Sequence, residues 1–288
     1  MCTFWGVALT QDDSVMDSKL FRFVVGPNER VFTVHSGALL PLGRYFQALI
    51  GGEMKESHEG QVEWDDIDED TFMAFSQYAY MSDYSTPDTA SSSSESEESR
   101  DVDDDEDFAI QICREMFASS KIFRGSLRMW YKSITEQRRG ETKKQLATVT
   151  HPILTEFNLT GYSISSLMVP LDDGPEALLP NAKVYVLSDR YDLPQLKGMA
   201  LGKIYYTLSN MVLTFRSANY VAALVRYVYA NTVTVDNDFN QDALRQLVVS
   251  FAACVYEHFL INPRFAAAVR DHGEFGLGIL ALLRHRSP

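Results

Sequence analysis

A run of serines and acidic residues interrupts the chain and limits where a core can form. Residues 91–107 read SSSSESEESRDVDDDED and contain almost no apolar side chain. Such a segment cannot bury enough apolar surface to compensate for the conformational entropy lost on ordering, so we expect it to be disordered. With 45% hydrophobic residues, the 288-residue chain has enough apolar material for a sizeable core on either side of this run.

The first foldable region predicts a β-hairpin followed by short helices. Residues 20–26 (LFRFVVG) and 30–35 (RVFTVH) are apolar or alternating, and the turn-forming PNE separates them. We expect Ser36 to be the N-cap of a helix in the next segment, GALLPLG. A second helix is predicted from an apolar face with helical spacing. That face consists of Tyr45, Phe46, Leu49 and Ile50.

One strand and several further helices are predicted beyond these. QVEW, residues 61–64, is a short strand, and Asp68 or Asp70 can cap the helix in TFMAFSQYAYM. Two helices are predicted after the insert, and Pro194 should occupy the first position of the second. The first of them has one face made of Val184, Leu187, Ser188 and Tyr191.

These patterns divide the chain into five parts. The insert contains a low-complexity stretch at 88–107, and the sequence leaves open whether residues 108–160 are ordered. The residues at the C-terminal end of the sequence are predicted to be helical. The parts are a tail (1–18), a first domain segment (19–84), an insert (85–180), two further helices (181–210) and a helical region (211–288).

Composition excludes several classes of protein. The net charge of −13 and the isoelectric point near 4.9 argue against general nucleic-acid binding, which needs clustered Lys and Arg. Cys2, Cys113 and Cys254 are far apart and lack ligand spacing, so we expect neither a disulfide framework nor a zinc site. We expect no signal peptide and no membrane span, and an intracellular location in the cytoplasm, the nucleus or both.

Several separated blocks, taken in order, resemble one family. They are FTVH ahead of an apolar helix, YFQALIGGEMKES (45–57), VEWDDIDEDTFMAFSQYAYMSDYSTP (62–87) and AKVYVLSDRYDLPQLKGMAL (182–201). Together they resemble the BTB/POZ domain, in the variant abundant in filamentous fungi, where a long insert splits the domain before its last two helices. The resemblance implies an α+β fold, with a small sheet flanked by short helices, and here an all-helical region follows it. Ser36 and Gly43 depart from the family, which usually has a basic residue and a serine at these positions, and Pro41 lies inside the first helix.

The resemblance implies a protein–protein interaction module without an active site. The histidines form no HxxxH or HxxEH pair and no glycine-rich phosphate loop is present, so we expect no metal, cofactor, enzymatic activity or small-molecule substrate. His35 is expected to be a core or interface histidine. The implied partner or dimer surface comprises Leu39, Leu40, Tyr45, Phe46, Met54 and Glu56.

Two versions of this function remain open. Met54-Lys55-Glu56 matches the loose pattern of BTB adaptors for cullin-type ubiquitin ligases, in which Met54 would fill an apolar pocket and Glu56 would bind a helix end or a basic side chain. The alternative is a transcriptional or chromatin co-regulator that dimerises through its BTB domain and recruits corepressors. Ser94, with Glu97 three residues later, is either a substrate of acid-directed kinases or part of a solvated linker.

Overall fold

The computed structural model describes residues 15–86, 174–211, 213–233 and 242–284. The fold is α+β, with one small sheet and a majority of helix. The chain forms two compact units. The first contains the described residues up to 86 together with 183–197, and the second contains 174–182 and the described residues from 198 onward. The predicted insert lies largely outside the described residues.

The sheet has three strands in the order β2-β1-β3. Strands β1 (Leu20–Val25) and β2 (Arg30–His35) form the predicted antiparallel hairpin, and β3 (Gln61–Trp64) pairs with β1 in parallel. The turn between β1 and β2 contains two residues with positive φ, Gly26 at +70° and Glu29 at +51°. On β1, every second side chain faces the core, and these are Phe21, Phe23 and Val25.

The first helix after β2 begins one residue earlier than predicted. Helix α1 is Ser36–Leu39, so Ser36 is its first residue and is not the N-cap. Ser18 satisfies a backbone donor at the N-terminal end of α1, because its hydroxyl accepts a hydrogen bond from the N–H of Gly37 at 2.8 Å. A 3₁₀ turn, Leu40–Leu42, continues the segment because the ring of Pro41 fits the first turn but not a helix interior. Gly43 follows at φ +153°, a conformation in which a serine would be strained.

Three helices complete the N-terminal segment of the first unit. They are α2 (Arg44–Gly51), α3 (Lys55–Glu59) and α4 (Glu69–Met81). Helix α3 was not predicted. Of the two predicted caps for α4, Asp68 is the one in place, because its carboxylate accepts hydrogen bonds from both the N–H and the hydroxyl of Thr71, at 3.0 and 2.9 Å.

Helix α5 (Leu178–Arg190) begins three residues before the predicted boundary at 181, in a segment expected to be linker. Pro180 is tolerated there because it lies in the first turn, where its missing N–H has no partner to lose. The predicted break between α5 and α6 (Pro194–Asn210) is confirmed. Asp192 has φ +52°, and the N–H of Leu193 donates to the carbonyl of Ser188 at 2.8 Å.

The second unit contains helices that begin at side-chain caps. Helix α7 (Phe215–Asn231) has a capping box formed by Thr214 and Ser217, and α8 (Ala243–Phe259) is capped by Asp242. The predicted helical region 211–288 also contains α9 (Pro263–Asp271) and α10 (Gly273–Arg284). His272, at ψ 83°, separates these two helices. Among the residues that the structure describes, no helix combines the length and the apolarity needed to cross a membrane.

A buried arginine organises the second unit. The side chain of Arg245 is only 6% exposed, and its guanidinium donates to the Thr232 hydroxyl at 2.7 Å and to the Glu274 carboxylate at 2.8 Å. It also donates to the carbonyl of Thr232 and lies 4.5 Å from the ring centroid of Tyr229. Arg245 therefore satisfies carbonyl groups at the C-terminal end of α7 and connects α7 to α10.

Replacing Asp68 with Ala should lower the free energy of unfolding by about 1 kcal/mol, because α4 loses its N-cap. Burial opposes ionisation of Asp68, but the Thr71 hydrogen bonds and the charge of Lys183 prevail and lower its pKa. The difference between wild type and the variant should therefore be full above the ordinary Asp pKa and shrink as pH falls through the folded-state pKa. Urea unfolding followed by circular dichroism measures it. Asp70→Ala, in the same turn and exposed, is the control and should change stability by less than about 0.5 kcal/mol.

Replacing Arg245 with Met should lower the free energy of unfolding by about 2 kcal/mol, because the partly buried carbonyl groups of Tyr229 and Thr232 lose their donor. Glu274→Gln is the matched control and should cost less than about 1 kcal/mol, since the Glu274 side chain is 57% exposed. Denaturant unfolding of both variants measures this, and equal losses would contradict the role given to Arg245.

Candidate functional site

The structure separates the six residues of the predicted partner surface into two groups. Leu39 and Phe46 are completely buried, so including them in a contact surface was wrong. Leu40, Tyr45 and Met54 are exposed at 38%, 37% and 62%, and Glu56 is half-exposed. We call these four residues the α2–α3 surface. Ser94 lies outside the described residues.

Helix α3 follows the exposed Met54 and contains Glu56, which is partly buried. Met54 is the N-cap residue in an extended conformation, and its carbonyl accepts hydrogen bonds from the N–H groups of Ser57 and His58 at 3.1 and 3.3 Å. The Ser57 hydroxyl donates to the carbonyl of Ile50 at 2.8 Å, which joins α3 to the end of α2. Gly60, at φ +63°, ends the helix. The backbone of α3 is therefore fixed at both ends of the helix, and the exposed Met54 lies at its N-terminal end.

Tyr45 connects this surface to the aromatic core. Its ring centroid lies 4.7 Å from that of Tyr191 and 5.1 Å from that of Phe46. Burial raises the pKa of Tyr45, the Trp64 indole N–H lowers it, and the negative charge of Glu56 raises it further. The Trp64 N–H is buried and makes no hydrogen bond of standard geometry with the residues that the structure describes, although it lies close enough to lower the pKa of Tyr45. Tyr45 and Glu56 are thus electrostatic neighbours on one side of the unit.

Below Tyr45, residues from both sides of the insert pack together. The rings of Trp64 and Tyr191 are stacked, with centroids 4.4 Å apart and an interplanar angle of 13°. Tyr78 donates to the Gln195 side chain at 3.3 Å. Burial raises the pKa of the Tyr191 hydroxyl, and the neighbouring Tyr45 adds to this shift. Tyr191 was predicted to lie on an apolar helix face, but no signal in the sequence paired it with Trp64.

The acidic loop ahead of α4 is largely engaged within its own unit. Asp66 forms an ion pair with Arg190, and Asp68 forms one with Lys183 at 3.1 Å. Glu69, the first residue of α4, forms an ion pair with Arg30 of β2. These carboxylates are therefore held by basic side chains of the same unit.

Chemistry-bearing side chains are sparse in the described part of the chain. No group of three or more His, Cys, Asp or Glu side chains that could hold a metal ion occurs there. The His35 ring lies with Nδ1 2.8 Å from the Tyr80 hydroxyl, which also accepts the backbone N–H of His35 at 2.9 Å. His35 is therefore a partly buried, hydrogen-bonded residue at the end of β2.

Replacing Tyr191 with Ala should lower the free energy of unfolding of the first unit by about 3 kcal/mol, because it removes a buried ring and leaves a cavity beside Trp64. Tyr191→Phe retains the ring and should cost less than about 1.5 kcal/mol. Trp fluorescence during urea unfolding follows this transition. Equal losses for the two variants would show that the stacked ring is not what stabilises the unit.

Comparison of the chain with protein-family models, with curated proteins and with solved structures found no match. An assignment of function therefore depends on the residues of the chain itself.

Proposed function

We propose that the chain is a protein–protein interaction protein whose first unit has a BTB-type fold. The order of elements supports this proposal. A β-hairpin is followed by α1, α2, α3, β3 and α4, and then by residues 183–197 from beyond the insert, all within one compact unit. The blocks that resemble the BTB domain ahead of the insert and most of the block after it therefore belong to one compact unit.

The observation that carries the proposal is the exposure of Met54 next to Glu56. An apolar side chain that is 62% exposed has no role in the core of its own unit. Methionine adapts readily to an apolar pocket, and a nearby carboxylate can accept hydrogen bonds from a helix N-terminus or a basic side chain. Leu40 and Tyr45 add exposed apolar area on α2 and the preceding turn. A partner with a small apolar pocket beside a basic group matches this chemistry.

The sharpest version of the proposal is a substrate adaptor for a cullin-type ubiquitin ligase. In that role the α2–α3 surface binds the cullin scaffold. The helical second unit, which has exposed leucines on α10, is then available to contact a substrate. Leu277 and Leu280 are exposed at 69% and 63%.

Binding of the purified full-length chain to cullin scaffolds tests this version. We expect the double variant Met54→Ala, Glu56→Ala to weaken binding by about tenfold or more, as expected for truncation of interface anchors. Lys55→Ala is the matched control, because Lys55 lies between them with its side chain 81% exposed and forms an ion pair with Glu59 of the same helix. Absence of wild-type binding would exclude the ligase role, and equal binding by the double variant would place the contact elsewhere.

A further inference from the structure

Tyr45 is the member of the α2–α3 surface whose ring also contacts the core of the first unit. Its side chain is 37% exposed, and its ring centroid lies 4.7 Å from that of Tyr191. Burial raises the pKa of the Tyr45 hydroxyl and the charge of Glu56 raises it further, so these two surface side chains are near neighbours. The orientation of one ring thus connects the proposed partner surface to the core.

The beginning of α2 lies against the turn between α5 and α6. A Cβ atom built on Gly43, the N-cap residue of α2, would lie 3.9 Å from the carbonyl oxygen of Asp192. The ring centroid of Phe46 lies 6.2 Å from that of Tyr191. The part of α2 that carries Tyr45 therefore packs on two residues that follow the insert in the sequence.

Tyr191 is held by its backbone and by its ring. Its N–H donates to the carbonyl of Leu187 at 3.2 Å, and the next residue, Asp192, turns the chain at φ +52°. Its ring stacks on that of Trp64. Because Tyr191 is only 8% exposed, it offers little area to a partner, and its influence on binding has to pass through Tyr45.

We propose that Tyr191 is a positioning residue of the α2–α3 surface, holding the ring of Tyr45 in the orientation that a partner protein binds. The surface is then complete only when residues 183–197 are docked on the segment before the insert. Release of that segment would leave Met54 and Glu56 in the chain but free the ring of Tyr45. This inference rests on the proposed function and deepens it by naming what controls binding at the same surface.

Ordering of the Tyr45 ring before binding is what makes this control effective. A side chain that is already held in its bound orientation loses less conformational entropy when a partner binds. Tyrosines are also among the residues that contribute most to binding at protein interfaces. Loss of the Tyr191 ring should therefore weaken binding although Tyr191 itself is buried.

Dissociation constants of full-length variants for a cullin scaffold test whether Tyr191 acts through Tyr45. Tyr191→Leu should weaken binding about fivefold, whereas Tyr191→Phe, which keeps the ring, should stay within about twofold of wild type. Tyr45→Ala should weaken binding about tenfold, and adding Tyr191→Leu to it should cause no further loss. An equal loss with and without Tyr45 would show that Tyr191 only stabilises the fold, and would overturn the proposal.

Val34→Ala is the control for a general loss of stability. Val34 is a buried residue of β2, 2% exposed, and its truncation removes apolar volume from the same unit. Binding by this variant should stay within about twofold of wild type. A loss as large as that of Tyr191→Leu would contradict a specific role for Tyr191.

The rotamer of Tyr45 provides a readout that needs no partner. Three-bond NMR couplings across the Cα–Cβ bond of Tyr45, in the tyrosine-labelled full-length chain, should report one rotamer in wild type, Tyr191→Phe and Val34→Ala. In Tyr191→Leu they should average over several rotamers, and a single unchanged rotamer there overturns the proposal. Absence of wild-type binding removes the ligase role, while the couplings still decide whether Tyr191 positions Tyr45.

Discussion

The stacked pair formed by Trp64 and Tyr191 is the contact on which the first unit depends. The two rings, 4.4 Å apart, lie at the end of β3 and at the end of α5, and therefore on opposite sides of the insert. Phe46 and Phe75 surround Trp64, with ring centroids 6.5 and 5.5 Å away. Buried aromatic pairs contribute about 0.5–1.5 kcal/mol beyond the area they bury. The peripheral ion pairs that join the same segments are partly exposed and contribute about 1 kcal/mol at most.

A contact of this kind allows a long segment to interrupt a folded unit. The entropic cost of closing a loop grows slowly with its length, by about 0.6 kcal/mol for each doubling. Burial of the aromatic cluster can therefore stabilise the unit whatever the length of the insert. Leu40, Tyr45 and Met54 of the α2–α3 surface are exposed among the described residues and are distant in sequence from the insert. Contact with other proteins is the property that the proposed function assigns to this unit.

Local patterns predicted the secondary structure well, because they reflect forces within a few residues. Alternation predicted the hairpin, Pro194 marked the start of α6, and Asp68 was one of two candidate caps. The resemblance implied a contact surface that includes Leu39 and Phe46, but an apolar residue in the sequence does not show whether a core or a partner covers it, and both are in the core. Helix α3 is too short for a periodic signal and depends on the Ser57–Ile50 hydrogen bond. The partnership of Trp64 with Tyr191 depends on tertiary packing, which no spacing in the sequence reveals.

Cleavage of the chain within the insert tests most directly whether the two segments form one body. A specific protease site placed in the full-length chain between residues 100 and 120 would cut it without altering any described residue. We predict that the two fragments elute together from a size-exclusion column under native conditions. With Trp5 and Trp130 replaced by Phe, so that Trp64 is the remaining tryptophan, its fluorescence should change only when denaturant separates the fragments. Fragments that separate without denaturant, with Trp64 already exposed to solvent, would contradict the account.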